Sequence, residues 1–193
     1  DANGGGATAI GGLSDAVTTA TNNVGLGSEA LDAITASQGE NNVGVGIRAG
    51  SAITTGDNNT AIGYQSLQTV TTGGTNTGIG AYAGYQTTGG YGTFIGESAG
   101  RNLTSGYSNT AIGSESMFAG SSATGNYNTA LGSRSLKVIT TGARNVAVGN
   151  NSLIASTTES DNIAIGYNSL GGAIAGATGC VVIGNYAGDS ITS

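Results

Sequence analysis

The chain has 193 residues with 37 Gly, no Pro, Trp or His, and only 8% charged side chains. A net charge of −6 with scattered cations (Arg48, Arg101, Arg134, Lys137, Arg144) argues against a nucleic-acid partner, which needs clustered Lys and Arg. Absent His rules out Ser-His-Asp chemistry, one Cys leaves zinc without a ligand set, and no apolar run approaches a membrane span.

Composition this rich in Gly, Ser, Thr and Asn is shared with disordered chains, but a strict repeat opposes that reading. Taken in chain order, a glycine follows an aliphatic residue at Gly11, Gly27, Gly46, Gly63, Gly80, Gly96, Gly113, Gly132, Gly149, Gly166 and Gly184. We call these the corner glycines. Their spacing of 16 to 19 residues marks eleven copies of one unit, and a fixed period is the signature of a stacked repeat fold.

The first unit, residues 1 to 21, is degenerate: Ala7 holds the position of Asn and Asp15 that of Leu or Gly. In most units from the second onward an Asn stands four before the corner glycine, at Asn23, Asn42, Asn59, Asn76, Asn109, Asn128, Asn145 and Asn162. Asn suits turns, and stacked at one position it can form an amide ladder. Units three to nine add a turn glycine seven before the corner: Gly39, Gly56, Gly73, Gly89, Gly106, Gly125 and Gly142. Length varies only between units, as in Phe118 to Thr124, so that stretch is expected to be an exposed loop.

Within a unit the residue three before the corner is β-branched (Thr60, Thr77, Thr110) and the one just before it is aliphatic (Ile62, Ile79, Ile112). In a strand these share a face, and the residue between them, usually Ala or Gly, lies on the other. Three after the corner stands Ser or Ala without exception, such as Ser66, Ala83 and Ser116. A column that never admits bulk marks the close approach of another backbone. Two short strands per unit are predicted, about Asn59 to Ile62 and Tyr64 to Leu67, with the corner at Gly63. The aliphatic columns are expected inside, and the Ala and Ser faces against other copies of the chain. The fold class is therefore all-β, a parallel solenoid of about eleven coils in a single repeat domain over residues 1 to 193. Because the pattern runs from end to end, the chain is expected to be a segment of a longer fibrous protein.

The unit Asn-Thr-Ala-Ile-Gly-x-x-Ser-Leu, over Asn22 to Gly188, resembles the repeats of phage tail fibres and virion appendages. It is also similar to the head repeats of trimeric autotransporter adhesins, from which it departs by Thr in place of Val. The resemblance implies a left-handed parallel β-roll, three chains side by side as a homotrimer, and a structural role in host attachment on the virion. The alternatives are a bacterial cell-surface adhesin head binding host or matrix surfaces, and a non-catalytic extracellular filament protein. An enzyme on a solenoid would need a carboxylate cluster, and the carboxylates fall in no column.

No catalytic, metal or cofactor residues are predicted. The Gly-x-Gly patterns belong to the repeat rather than to a nucleotide fingerprint, and Asp57 and Asp161 lack a calcium-repeat context. Cys180 is a small residue in the Asn column. Tyr82, Tyr85 and Tyr91 lie within about one unit, and rings exposed together could stack on the sugars of a host surface. They are the candidate ligand contacts, with a host glycan or protein as partner.

Overall fold

The computed structural model describes residues 16–17, 22–34, 38–120, 122–172, 176 and 178–188. Its strands are β1 (Ala16–Val17), β2 (Val24–Leu26), β3 (Val43–Val45), β4 (Thr60–Ile62), β5 (Thr77–Ile79), β6 (Thr93–Ile95), β7 (Thr110–Ile112), β8 (Thr129–Leu131), β9 (Val146–Val148), β10 (Ile163–Ile165) and β11 (Val181–Ile183). They form one sheet in chain order. From β2 to β11 every pairing is parallel and joins like column to like column, as in Thr60 to Thr77, Ala61 to Gly78 and Ile62 to Ile79. The solenoid expected from the period is thus present, with no helix among the described residues. The first strand differs: β1 pairs antiparallel with β2, Ala16 opposite Leu26. Gly11 and the first unit's predicted strand lie outside the described residues.

The corner glycines end each strand for two reasons. Gly63 has φ +127, and a Cβ built on it would stand 2.6 Å from the carbonyl of Gly80 in the next coil. Gly46 repeats the arrangement against Gly63 at 2.8 Å. No L side chain satisfies both demands.

The predicted second strand, Tyr64 to Leu67, is not a strand. Gln65 and Leu67 have φ +54 and +46, and the same two positions are left-handed in neighbouring coils, at Glu115 and Met117 and at Arg134 and Leu136. This leg is a run of tight turns, yet its left-handed residues bond to the coils on both sides. Gln65 N–H donates to Ile47 O below at 2.9 Å, and Leu67 N–H to Ala83 O above at 2.9 Å. Left-handed backbone costs roughly 1–2 kcal/mol for an ordinary residue. Here each such residue turns an N–H toward an adjacent coil, so the strain is offset by bonds that a straight strand would not direct there.

The interior also reverses an expectation. The small central residues of the strands (Ala61, Ala111, Ala130, Ala147, Ala164) are fully buried, while Ile62, Ile112 and Ile165 are 37%, 38% and 37% exposed. The strand's small face points into the coil and its aliphatic face points out. The reason is the narrowness of the coil. A Cβ at Gly78 would already meet Leu67 Cγ at 2.7 Å. The core is supplied from the turn leg, by Leu31, Leu67, Met117, Leu136, Leu153 and Leu170, with Ile53, Val70, Leu103 and Ile139 behind them. The Ser/Ala column lies at the predicted close approach: Ser152 Oγ donates to Ala164 O at 2.9 Å and Ser116 Oγ to Ala130 O at 3.2 Å.

The Asn ladder is real and buried. Asn42 Oδ1 accepts from Asn59 N–H at 2.9 Å and from Asn59 Nδ2 at 3.1 Å. Asn59 Nδ2 then donates to the carbonyl of the turn glycine Gly73 at 3.0 Å. Each carboxamide therefore ties together the strand entry and the turn of adjacent coils. Gly92 and Cys180 replace Asn but still donate their N–H groups to Asn76 and Asn162.

Candidate ligand-contact face

Side chains five residues after the corner glycine project from the turn leg. In five successive coils they are Gln68, Tyr85, Arg101, Phe118 and Lys137. The register that stacks them is set by backbone bonds such as Thr69 N–H to Tyr85 O (3.1 Å) and Gln86 N–H to Arg101 O (2.9 Å). Beside them run residues two after the corner, Tyr82, Ser98, Glu115 and Arg134, all on left-handed backbone, with Ser98 buried.

The rings and cations of these columns touch. Tyr64 and Tyr82 meet edge to face with centroids 5.2 Å apart, and Tyr82 meets Tyr85 at 5.7 Å. The Arg101 guanidinium lies 4.5 Å from the Tyr82 centroid, 5.7 Å from that of Tyr85 and 5.8 Å from that of Phe118. Lys137 Nζ stands 5.9 Å from the Phe118 ring and 2.8 Å from Glu115 Oε2. Arg134 Nε shares that carboxylate oxygen at 3.0 Å. Hydrogen bonds from Lys137 and then Arg134 hold the Glu115 carboxyl below the usual carboxylate range. Burial, followed by the neighbouring Tyr64, pushes the Tyr82 phenol up.

Of the three predicted contact residues, the structure brings Tyr82 and Tyr85 together and separates Tyr91 from them. Tyr91 stands five before its corner glycine, at the entry to β6, with φ +60 and its N–H donated to Gly74 O at 3.1 Å. It is 67% exposed and makes no ring contact among the described residues. Nearness in sequence misled because a coil turns back on itself within those few residues. The members that sequence reading missed are Arg101, Phe118 and Lys137. Their signal was a column whose chemistry changes from ring to cation, visible only when aligned by the corner glycine.

The other polar groups have structural partners. Asp57 Oδ1 accepts Glu40 N–H at 2.7 Å, and Asp161 pairs with Arg144 at 2.6 Å. Among the described residues no three His, Cys, Asp or Glu side chains converge as metal ligands, and none lies in a helix long and apolar enough to cross a membrane. The corner glycines from Gly27 to Gly184 all occupy the corner conformation. Comparisons with family models, with curated proteins and with solved structures find no match to this chain.

Proposed function

We propose that the chain is a structural segment of a homotrimeric phage tail fibre or virion appendage that takes part in host attachment. The observation that carries this reading is the outward aliphatic strip. It runs unbroken from Leu26 through Val45, Ile62, Ile79, Ile95, Ile112, Leu131, Val148 and Ile165 to Ile183. Ten rungs at roughly 4.8 Å make a strip of about 43 Å. A continuous apolar strip of that length on a thin solenoid calls for cover, and two further copies in register would meet it with the same column. The aliphatic face, and not the Ala/Ser face, is the proposed contact. The repeat's resemblance adds the left-handed sense, the threefold arrangement and the virion setting. No catalytic role is assigned. The alternative, a bacterial adhesin head, rests on the same resemblance; the sequence flanking this segment in its full-length gene distinguishes the two.

The test is mass in solution. Light scattering of the 193-residue chain is expected to give three times the chain mass. Ile62, Ile112 and Ile165 replaced together by Ser should give a smaller species. A folded, unaltered chain that stays monomeric overturns the reading.

A further inference from the structure

We propose that the face formed by Gln68, Tyr85, Arg101, Phe118 and Lys137 binds a carboxylated polysaccharide laid parallel to the stack axis. The proposal rests on the attachment reading above but not on the trimer.

The first ground is an unbalanced charge. Arg48 pairs with Glu29, Arg134 and Lys137 with Glu115, and Arg144 with Asp161. Arg101 is the remaining cation of the chain, and among the described residues no carboxylate pairs with it. Its guanidinium rests instead on tyrosine faces. Around it three cations (Arg101, Arg134, Lys137) meet two carboxylates, Glu97 and Glu115, although the whole chain carries −6. Glu97 is itself occupied by the hydroxyls of Ser98 (2.9 Å) and Ser114 (3.2 Å). This stretch is therefore a cationic spot on an acidic protein.

The second ground is the kind of group beside the charge. With its Cζ 4.5 Å from the Tyr82 centroid and no carboxylate paired with it among the described residues, the guanidinium can grip a ligand carboxylate with two parallel bonds. Rings of Tyr85 and Phe118 on either side offer apolar surface to the C–H faces of a sugar, and the phenol of Tyr85 offers a polar tip. The third ground is repetition. One long side chain per rung, over five rungs, matches a linear ligand and not a compact one. The column ends in Asp32 and Ser51 on one side and in Ile154 and Gly171 on the other, which bounds the footprint. Single-stranded nucleic acid also stacks on rings beside cations. Its dense phosphate charge would be repelled by the remainder of this acidic chain, which favours the sparser charge of a polyuronate.

The experiment is calorimetric titration of the full 193-residue chain with an oligogalacturonate of about ten sugars. Saturable binding is expected, weakening with added salt. Arg101→Gln should lower affinity at least tenfold and Tyr85→Ala several-fold. Arg144→Gln, on a cation at the strand-entry position of its coil and outside this column and the one beside it, should stay within twofold. Dextran of equal length should give no heat. Lys137→Gln is the second probe should Arg101→Gln fail to fold by circular dichroism, and it should lower affinity several-fold. The proposal is overturned by no binding to the unaltered chain, by equal loss in Arg144→Gln, or by binding of dextran. It is equally overturned if a DNA oligonucleotide binds as tightly as the uronate. Light scattering on the same samples separates the two readings. A trimer that binds nothing overturns this site alone, and a monomer that binds uronate overturns the trimer alone.

Discussion

Two stretches of the stack fill the same space by opposite means. In the coil of Gly132 the core residue is Leu136, reaching from the turn leg with φ +50, and the strand contributes only Ala130. In the coils of Gly80 and Gly96 the Leu position is glycine, at Gly84 and Gly100, and the strand of the second contributes Phe94. A Cβ at Gly84 would stand 2.7 Å from the Phe94 ring, one at Gly92 would meet the same ring at 2.5 Å, and one at Gly100 would meet it closer still. One ring from the strand leg occupies what two leucines and an asparagine side chain occupy elsewhere. What stays constant along the stack is the volume filled per rung, not the position that fills it.

Phe94→Ala tests this most severely. The variant should lose about 3–5 kcal/mol, since three glycines around the void cannot collapse into it. Thermal melting of the purified chain reads the loss. Adding Gly100→Leu to Phe94→Ala should recover part of it, because Leu already adopts this backbone at Leu67 and Leu136. If the double variant melts below Phe94→Ala, the exchange of volume between legs is wrong.

Ser116→Leu probes a rung of the leucine type. Ser116 is fully buried, with Oγ 3.2 Å from Ala130 O and 3.1 Å from Ser135 Oγ. Overpacking should cost about 1–3 kcal/mol per chain, and the melting point should fall well below that of the unaltered protein.

A smaller effect is expected at Glu159, which holds the turn-glycine position of its coil. Its carbonyl still accepts Asn145 Nδ2 at 2.8 Å, as the turn glycines do. Its carboxylate accepts Thr157 N–H at 2.8 Å and Thr158 N–H at 3.0 Å. Burial pushes this carboxyl up, but the hydrogen bonds together outweigh it and the net shift is downward. A depressed carboxyl stabilises the fold above its unfolded pKa and ceases to do so as pH falls through its folded one. Glu159→Gln should therefore melt lower than the parent at pH 7, with the gap closing as pH falls through the acid range. A gap that stays constant with pH would remove the carboxylate from the account.

Least of all should come from three residues inserted after Gly120, where a Cβ would meet nothing within 4 Å. Loop-closure entropy grows slowly with length, so the melting point should hold. An insertion that melts before Ser116→Leu would mean that edge and interior have been interchanged.

The repeat, the parallel register and the role of Asn59 were legible because each is a column with one physical demand. Ser116 was legible as a close approach, but the backbone it approaches is that of the next coil at Ala130 and not another copy. Which strand face points inward was not legible. Hydrophobicity placed Ile62 inside, but the inside of so thin a coil has room only for Ala61 once Leu67 has entered from the other leg. Tyr64 to Leu67 read as a strand from its alternation, because left-handed backbone at Gln65 and Leu67 leaves no compositional trace when the residues are not glycine. The ligand-contact face was half legible: Tyr82 and Tyr85 were found as rings, whereas Arg101 was counted only as scattered charge. Its meaning depends on a neighbour one coil away, 16 residues from Tyr85.

The hydrogen bonds between coils, from Gly63 N–H to Val45 O through Leu67 N–H to Ala83 O, all run along the stack axis. Such a body is mechanically anisotropic. Side load is shared by the packed interior of every rung, while a pull on the chain ends works against one coil's bonds at a time. Opened from the β11 end, the stack would lengthen in steps of one coil, a sawtooth extension in which each tooth is a single turn of the repeat.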